Sequence, residues 1–597
     1  MKKIVNISLL FILVFTFGCK NTLDAPAKSA LEESVVFSSP DLTEAVIAGI
    51  FHSFGETESY RGRYIVYYGI NTDTEVYNSL RSSTTNDKGK LSNYDTNANN
   101  TEMNRAGNAW AKFYEAVERC NIAIRGLRTY GNIESNPLMA QFLGEVLTLR
   151  AVIYNDLIKG WGDVPARFEP ATSETTYLPR SDRDVIFKQL LADLEEATGY
   201  LPWPNSNSRT SSVERVNKAF AKGLRARLAL YAGGYAQRSD GVIRRSNDPD
   251  LTPEKMYEIT KNECLDIIES KTVKLLPSFE QVFRLLNQES LAAGNESMWE
   301  IPFSEGRGRV IFDLGVKHID PNKYTAQAKG GTNGPNPVML YEYEDGDERR
   351  DVTIVPYEWK VSNGQVYQDP TNLNKLYFGK YRYEWMNRRV TNANDDGLNW
   401  MYMRYADVLL MAAEAINALE GPENAAQYLK LVRERAFPNN PEKVTTFMNQ
   451  ATSSPQSFFE AIVNERALEF CGEMLRKADL IRWNLLGEKM EENKEKLRQL
   501  NAREGKYATV PTRIYYRTAA DNETVEIYGI RPGETTAPTA GTYTSDKAWS
   551  LTSSSDNPKY WEAVFVRNPN VQQYWPIWEL FIINSNGMLN NGGVNYQ

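Results

Sequence analysis

The chain has 597 residues, with 68 Lys and Arg against 76 Asp and Glu, and a formal net charge of -8. At 42% hydrophobic and 24% charged residues it has the composition of a folded globular protein, and its acidic balance speaks against a nucleic-acid partner, which requires a basic footprint. Two histidines, His52 and His318, exclude a histidine-rich metal site and leave room for at most one histidine-dependent catalytic arrangement, while 12 Trp, 33 Tyr and 23 Phe must be used somewhere.

In chain order, Met1-Lys2-Lys3 is a short basic start and Ile4 to Phe17 is almost wholly apolar, the pattern of a secretory signal. About 14 apolar residues are too few for a transmembrane helix, which needs about 20, and no later stretch is long enough. The segment ends Thr16-Phe17-Gly18-Cys19, which resembles a bacterial lipobox, although Thr16 and Phe17 stand where Leu and a small residue are usual. Residues 1–18 are therefore expected to be removed, with Cys19 lipidated and residues 19–39 forming a tether. Cys120, Cys264 and Cys471 are expected to be buried free thiols.

Helical stripes follow. The first runs from Asp41 to His52, capped by Ser39 or Asp41. Trp110, Phe113, Val117, Cys120, Ile124 and Leu127 recur at helical spacing, as do Leu143, Leu147, Tyr154, Leu157 and Trp161. Ser181 and Asp184 form a capping box before Ile186, Leu190, Leu194 and Leu201, and Phe220, Leu224 and Leu228 make the next stripe. Trp110 to Gly144 and Ile186 to Phe220 are each 34 residues apart, the tetratricopeptide period. Late helices centre on Val408 to Leu419, Ala426 to Ala436 and Phe459 to Phe470. Residues 60–105 and 300–400 are instead rich in Gly, Asn, Asp and aromatics, and residues 505–560 predict short hairpins. Loops this long are usually functional.

The helical blocks carry recognisable strings. They include Gly144-Glu145-Val146-Leu147-Thr148-Leu149-Arg150-Ala151, Gly160-Trp161-Gly162-Asp163-Val164-Pro165 and Arg404-Tyr405-Ala406-Asp407-Val408-Leu409. Glu465-Arg466-Ala467-Leu468-Glu469-Phe470, Asp479-Leu480-Ile481-Arg482-Trp483 and the closing Pro576-Ile577-Trp578-Glu579-Leu580 continue the series. Together they resemble the SusD/RagB family of outer-membrane nutrient-binding lipoproteins, from Cys19 to the C-terminus. The resemblance implies a mainly α fold: a single domain over residues 40–597, with tetratricopeptide-like helical hairpins as a frame (mainly 40–55, 105–300 and 402–500) and ligand-site loops with small β-hairpins (mainly 60–105 and 300–400). It implies a cell-surface, lipid-anchored protein that binds glycans and delivers them to a SusC-like TonB-dependent transporter, without catalysis. The alternative it leaves open is a peptide ligand.

Sugar rings have apolar faces and polar edges, so a glycan site needs aromatic platforms beside hydrogen-bonding side chains. The segment from Asn71 to Arg81 offers that mix, and the family resemblance, in which the stretch after such an Asp-x-Glu-like run contributes to the ligand site, implies Tyr77, Asn78 and Arg81, with Tyr94 behind them. Tyr324, Trp359, Tyr367 and Trp385 are the second set, taken from a group that also holds Tyr383 and Trp400. Arg150, Arg225, Glu414, Glu465 and Arg466 are expected to form ion pairs that lock the frame, and Trp161 to lie in the core. Asn392-x-Asn394-x-Asp396-Gly397 looks like the start of a calcium loop, but Met403 stands where a bidentate Glu is needed, so a turn is the better reading. The acidic run from Glu342 to Glu348 reads as solvated or paired charge, which leaves a glycoside hydrolase with paired acids as a weak alternative. A helical-repeat scaffold for other proteins would leave the aromatic loops unexplained. No nucleotide, zincin or serine-hydrolase motif occurs, and no cofactor or metal is expected.

Overall fold

The computed structural model describes residues 31–80, 85–392, 396–552, 556 and 558–594. The first long helix, α1 (Pro40–Phe54), begins at Ser39, whose side chain makes no capping bond. It packs on α2 (Ala109–Tyr130), which packs in turn on α3 (Pro137–Trp161). The row continues through α4 (Arg183–Tyr200), α5 (Lys218–Ala232) and α6 (Pro253–Ser270). It then jumps to α7 (Tyr405–Glu420), followed by α8 (Pro422–Ala436), α9 (Pro441–Ala451) and α10 (Pro455–Phe470). Asn108, Asn136, Asn217, Thr252 and Ser454 cap α2, α3, α5, α6 and α10 with side-chain oxygens on backbone N–H groups. The cap of α4 is Asp182, not the expected Ser181: its carboxylate accepts from the Asp184 N–H at 2.9 Å, while Asp184 itself holds Arg238 and Ser246.

The 34-residue spacing has a different meaning from a repeat period. Trp110 and Gly144, like Ile186 and Phe220, sit in the two helices of one hairpin, and the hairpin after α2–α3 begins only at Arg183. Gly144 is used for close approach, since a methyl there would lie 2.9 Å from Leu201 and 3.1 Å from the Ala197 carbonyl.

One continuous hydrophobic core runs through these helices, and Trp161, Trp299, Trp549 and Trp578 are fully buried in the fold. Trp161 lies 5.4 Å from Trp110 and 5.6 Å from Trp575, so the C-terminal Trp575-to-Trp578 segment closes the α2–α3 end of the frame. The chain docks before α1 as well: Phe37 is buried against Gly126 of α2. The three described cysteines are buried and free. No described helix is long and apolar enough to cross a membrane.

Charge locks the hairpins as expected. Arg150 bonds Asp193 at 2.6 Å, Arg466 bonds Asp407 at 2.6 Å and Asp479 at 2.8 Å, Arg225 pairs with Glu263, and Glu414 pairs with Arg482. Glu465 receives Arg349 at 2.7 Å. Arg404 sits at the hub, fully buried, with Glu296 at 2.9 Å, Glu469 at 2.5 Å and Glu473 at 2.8 Å. The three guanidiniums of Arg349, Arg404 and Arg435 hold the Glu469 carboxyl far below the usual carboxylate range, against its burial.

The intervening segments form small antiparallel sheets. β1 (Glu75–Tyr77) pairs with β3 (Asn333–Pro335), and β2 (Ser297–Ile301) with β6 (Trp400–Arg404). β4 (Tyr357–Ser362) and β5 (Gln365–Pro370) make a hairpin turned by Asn363-Gly364, both at positive φ. β7 (Arg513–Thr518) lies between β8 (Val525–Tyr528) and β9 (Ser545–Ala548), in the region read as short hairpins. The 60–105 stretch is less open than its composition indicates. Tyr60–Tyr64 forms a π-helical turn that runs into Ile65–Tyr68, and Tyr60, Tyr64, Tyr67 and Tyr68 are all buried.

Candidate functional site

The structure separates the predicted aromatic residues. Tyr94, at φ 65°, is buried beneath Lys477 and donates its hydroxyl to the Asn71 carbonyl at 2.9 Å. Trp359 is 2% exposed, packed with Val316, Val355, Val366 and Tyr377 and stacked on His318. Trp385 is buried with the guanidiniums of Arg284 and Arg382 over its ring at 4.1 and 4.3 Å. A buried ring has no free face for a sugar, so Tyr94, Trp359 and Trp385 serve packing; Tyr383 and Trp400 are buried too. Tyr324 is half-buried, 5.2 Å from Trp359, with its hydroxyl 3.4 Å from Glu523. Tyr367 is half-buried, but it pairs with Lys360 on the face of the β4–β5 hairpin opposite Trp359. Tyr324 and Tyr367 therefore address different sides of one hairpin. Arg81 and Cys19 lie outside the described residues.

Tyr77 and Asn78 stand together at the end of β1, with different tasks. Asn78 donates its amide to the carbonyls of Gly331 and Leu376, both at 3.1 Å, and its backbone N–H to Thr332 at 3.0 Å. It joins three backbones and acts through them. Tyr77 is half-buried and faces a group assembled from three loops. The π-helical turn buries its tyrosines but leaves Arg63 partly exposed, 3.4 Å from Glu58 and 3.6 Å from Glu102. The short helix Val310–Leu314 brings Arg309 within 3.7 Å of Asp313 and over the Phe312 ring at 4.0 Å.

Mutual electrostatic effects show how near these groups are. Burial pushes the Tyr67 hydroxyl up well beyond its ordinary value, and the Asp313 charge, Tyr77 and Glu102 act in the same direction against Arg63. Burial, then Glu102, raises the Tyr77 hydroxyl. Burial lifts the Asp313 carboxyl to about 7, opposed by Arg309 and Arg63. Tyr77 thus feels the Glu102 charge that Arg63 pairs, and the segment on which β1 lies bonds the Asp313 carbonyl through the Thr332 N–H at 2.9 Å. An aromatic face beside donors and acceptors is what stacking on an apolar ring face and bonding to its hydroxyl edge require. Arg63, Tyr67, Glu102, Arg309 and Asp313 were missed from the sequence. The spacing of Arg63 to Tyr67 and Arg309 to Asp313, four residues each, was the available signal.

A separate recess of about 370 Å³ lies among Glu342, Glu344, Arg433, Phe447, Lys489 and Lys496. Its charges pair within the protein: Arg433 with Glu344, Lys496 with Glu342 at 3.5 Å, and Lys489 with Glu492 at 2.8 Å. Among the described residues no group of three or more His, Cys, Asp or Glu side chains is placed to hold a metal ion.

A row of helical hairpins that carries polar-aromatic loops on strand and turn supports defines a class of extended, loop-bearing helical proteins. Comparison with known proteins narrows the class. The sequence profile of the SusD family matches residues 296–594, and that of a family described as starch-binding and associating with the outer membrane matches residues 27–230. The chain belongs to the SusD family. It is 26% identical over 530 residues to a SusD-like protein of Formosa agariphila, covering 81% of this chain and 90% of that one. A SusD homolog from Bacteroides thetaiotaomicron superposes with a TM-score of 0.66 at 20% identity, over 80% of this chain and 92% of that chain. Surface glycan-binding protein A of the same organism, in complex with laminarihexaose, gives 0.61 at 17% identity over 93% of this chain and 99% of that chain. At these identities the superpositions speak for the fold, which is SusD-like and mainly helical.

Proposed function

We propose that this protein is a non-catalytic, cell-surface lipoprotein that binds oligosaccharides or polysaccharides and delivers them to a SusC-like TonB-dependent outer-membrane transporter. In this reading residues 1–18 direct export, Cys19 carries the lipid, and residues after it tether the domain. The observation that carries the binding role is the partly exposed Tyr77 ring at a supported strand end, within reach of the Glu102 charge that Arg63 pairs. Arg81 is proposed as a further ligand donor, and Tyr324 and Tyr367 as outlying platforms. Support comes from family membership and from structural neighbours described as glycan-binding, one of them a laminarin-binding SusD-like protein.

The test is titration calorimetry of the soluble chain lacking residues 1–19 against a panel of polysaccharides and a mixture of peptides, with product analysis after prolonged incubation. Binding of a glycan without released sugars supports the reading. Binding of peptides alone, or cleavage of the glycan, overturns it.

A further inference from the structure

Three lysines stand on adjoining segments next to the end of β1, in a protein that is acidic overall. Lys317 follows the Val310–Leu314 helix, Lys329 lies on the segment leading to β3, and Lys375 precedes Leu376. Gly330 and Gly331 make the convergence possible. Both have positive φ, 109° and 73°, and a methyl on Gly330 would lie 2.7 Å from the Val316 carbonyl, one on Gly331 2.3 Å from the Tyr377 ring. The segment therefore lies flat on residues 315–317, fixed by the bond from His318 N–H to Lys329 carbonyl at 2.9 Å. Asn78 holds the third strand in place through its paired bonds to Gly331 and Leu376.

The amines are close enough to act on one another. After burial, Lys375 is the largest charge on Lys317 and depresses its amine; Glu358 opposes it, and Lys329 adds to the depression. Compensation comes from that one shared carboxylate. Glu358 lies 3.5 Å from Lys375 but also 3.4 Å from Lys360, and among the described residues neither Lys317 nor Lys329 has a carboxylate within ion-pair distance. Lys329 instead lies over the Phe312 ring at 5.0 Å, on which Arg309 also sits. Like charges held on adjoining glycine-shaped backbone, with one shared carboxylate among them, create a field that favours an anion there.

We infer that Lys317, Lys329 and Lys375 form a subsite for the anionic substituents, carboxylate or sulfate, of an acidic polysaccharide whose ring contacts are made at Tyr77. This inference rests on the glycan-binding reading and narrows it to a substrate class. Three ammonium groups on one strip would read negative charge repeated along a chain.

The experiment is affinity electrophoresis and calorimetry of the chain lacking residues 1–19 with alginate, carrageenan, laminarin and polyphosphate, at about 20 mM and about 500 mM NaCl. The expected result is binding of alginate or carrageenan, weakened about tenfold by high salt, with laminarin bound at least tenfold less tightly. The alginate and carrageenan arms separate carboxylate from sulfate. The variant K317Q/K329Q/K375Q should lose about tenfold or more toward the acidic polymer and most of the salt dependence. Because Lys317 is half-buried, K329Q/K375Q is measured beside it, with a smaller loss in the same direction and an unchanged melting temperature. Equal binding of laminarin by wild type and variants would overturn the charge inference and leave the glycan reading standing. Binding of no polysaccharide would overturn both. Polyphosphate bound as tightly as the polysaccharides would mark an unspecific anion patch and overturn the inference.

Discussion

Asn78 and Leu376 lie 298 residues apart, yet the Asn78 amide donates to the Leu376 carbonyl at 3.1 Å and, from the same nitrogen, to Gly331. One side chain thus fastens the end of β1 to the two segments that carry Lys329 and Lys375. Asn78→Ala would leave two carbonyls short of a donor, at a cost of about 1–3 kcal/mol. Denaturant unfolding should show that loss, and glycan affinity should fall with it although Asn78 makes no ligand contact in this account.

Tyr77 and Trp359 are both aromatic residues of the loop regions, but they differ in burial and so in the effect of their removal. Tyr77→Ala is expected to weaken glycan binding about tenfold, the worth of one stacking ring, with little change in melting temperature. Trp359→Ala should cost about 3–5 kcal/mol of stability through the cavity it leaves. Calorimetric titration paired with thermal melts of both variants checks the contrast.

Asp313 gives a pH dependence of defined sign. Its folded-state carboxyl titrates at about 7 while an unfolded Asp titrates at about 3.9, so between those values the native state holds a proton that the unfolded chain has released. Its contribution to stability is full below pH 4 and is lost as pH rises through 7. Asp313→Asn should therefore gain on the wild type as pH is raised from about 4 to about 7, with no pH-dependent difference below that range. Melting temperatures of the pair across that range read the effect. Glu75, Glu145 and Glu300, raised to about 8, 7 and 7, are common to both proteins and cancel in the difference.

Arg404 is the hub of the frame. Replacing it with Met would strand Glu296, Glu469 and Glu473 without their shared cation in a dry interior. A loss of about 3–5 kcal/mol in urea unfolding is expected. Removing surface-paired Arg498, which meets Glu495 and Glu504 at the exposed side of α11 (Leu486–Ala502), should leave the unfolding midpoint nearly unchanged.

Much of the frame was legible because its signal is local. Helical spacing placed Trp110, Trp161, Leu190 and Phe220 in the core, and the charged strings around Arg150 and Arg466 pair as their positions imply. The site was less legible because burial in the loops is decided by partners distant in sequence. Trp359 is sealed by His318 and Val316, Tyr94 by Lys477, and nothing local marks either as packed. Asn78 looked like a ligand contact for the same reason, since its acceptors lie at 331 and 376. Arg309 and Asp313 were overlooked because their five-residue helix is too short for a periodic stripe. The 34-residue spacing misled in another way: it is real, but it measures the step between the two helices of a hairpin.

The central claim is that polysaccharide binds at Tyr77, and calorimetric titration of wild type and Tyr77→Ala with the best-bound polysaccharide tests it most directly. The account predicts saturable binding by the wild type, an affinity about tenfold lower for Tyr77→Ala, and equal melting temperatures for the two. Equal affinities in the two proteins, or no binding to any polysaccharide beside clear binding of peptides, would contradict it.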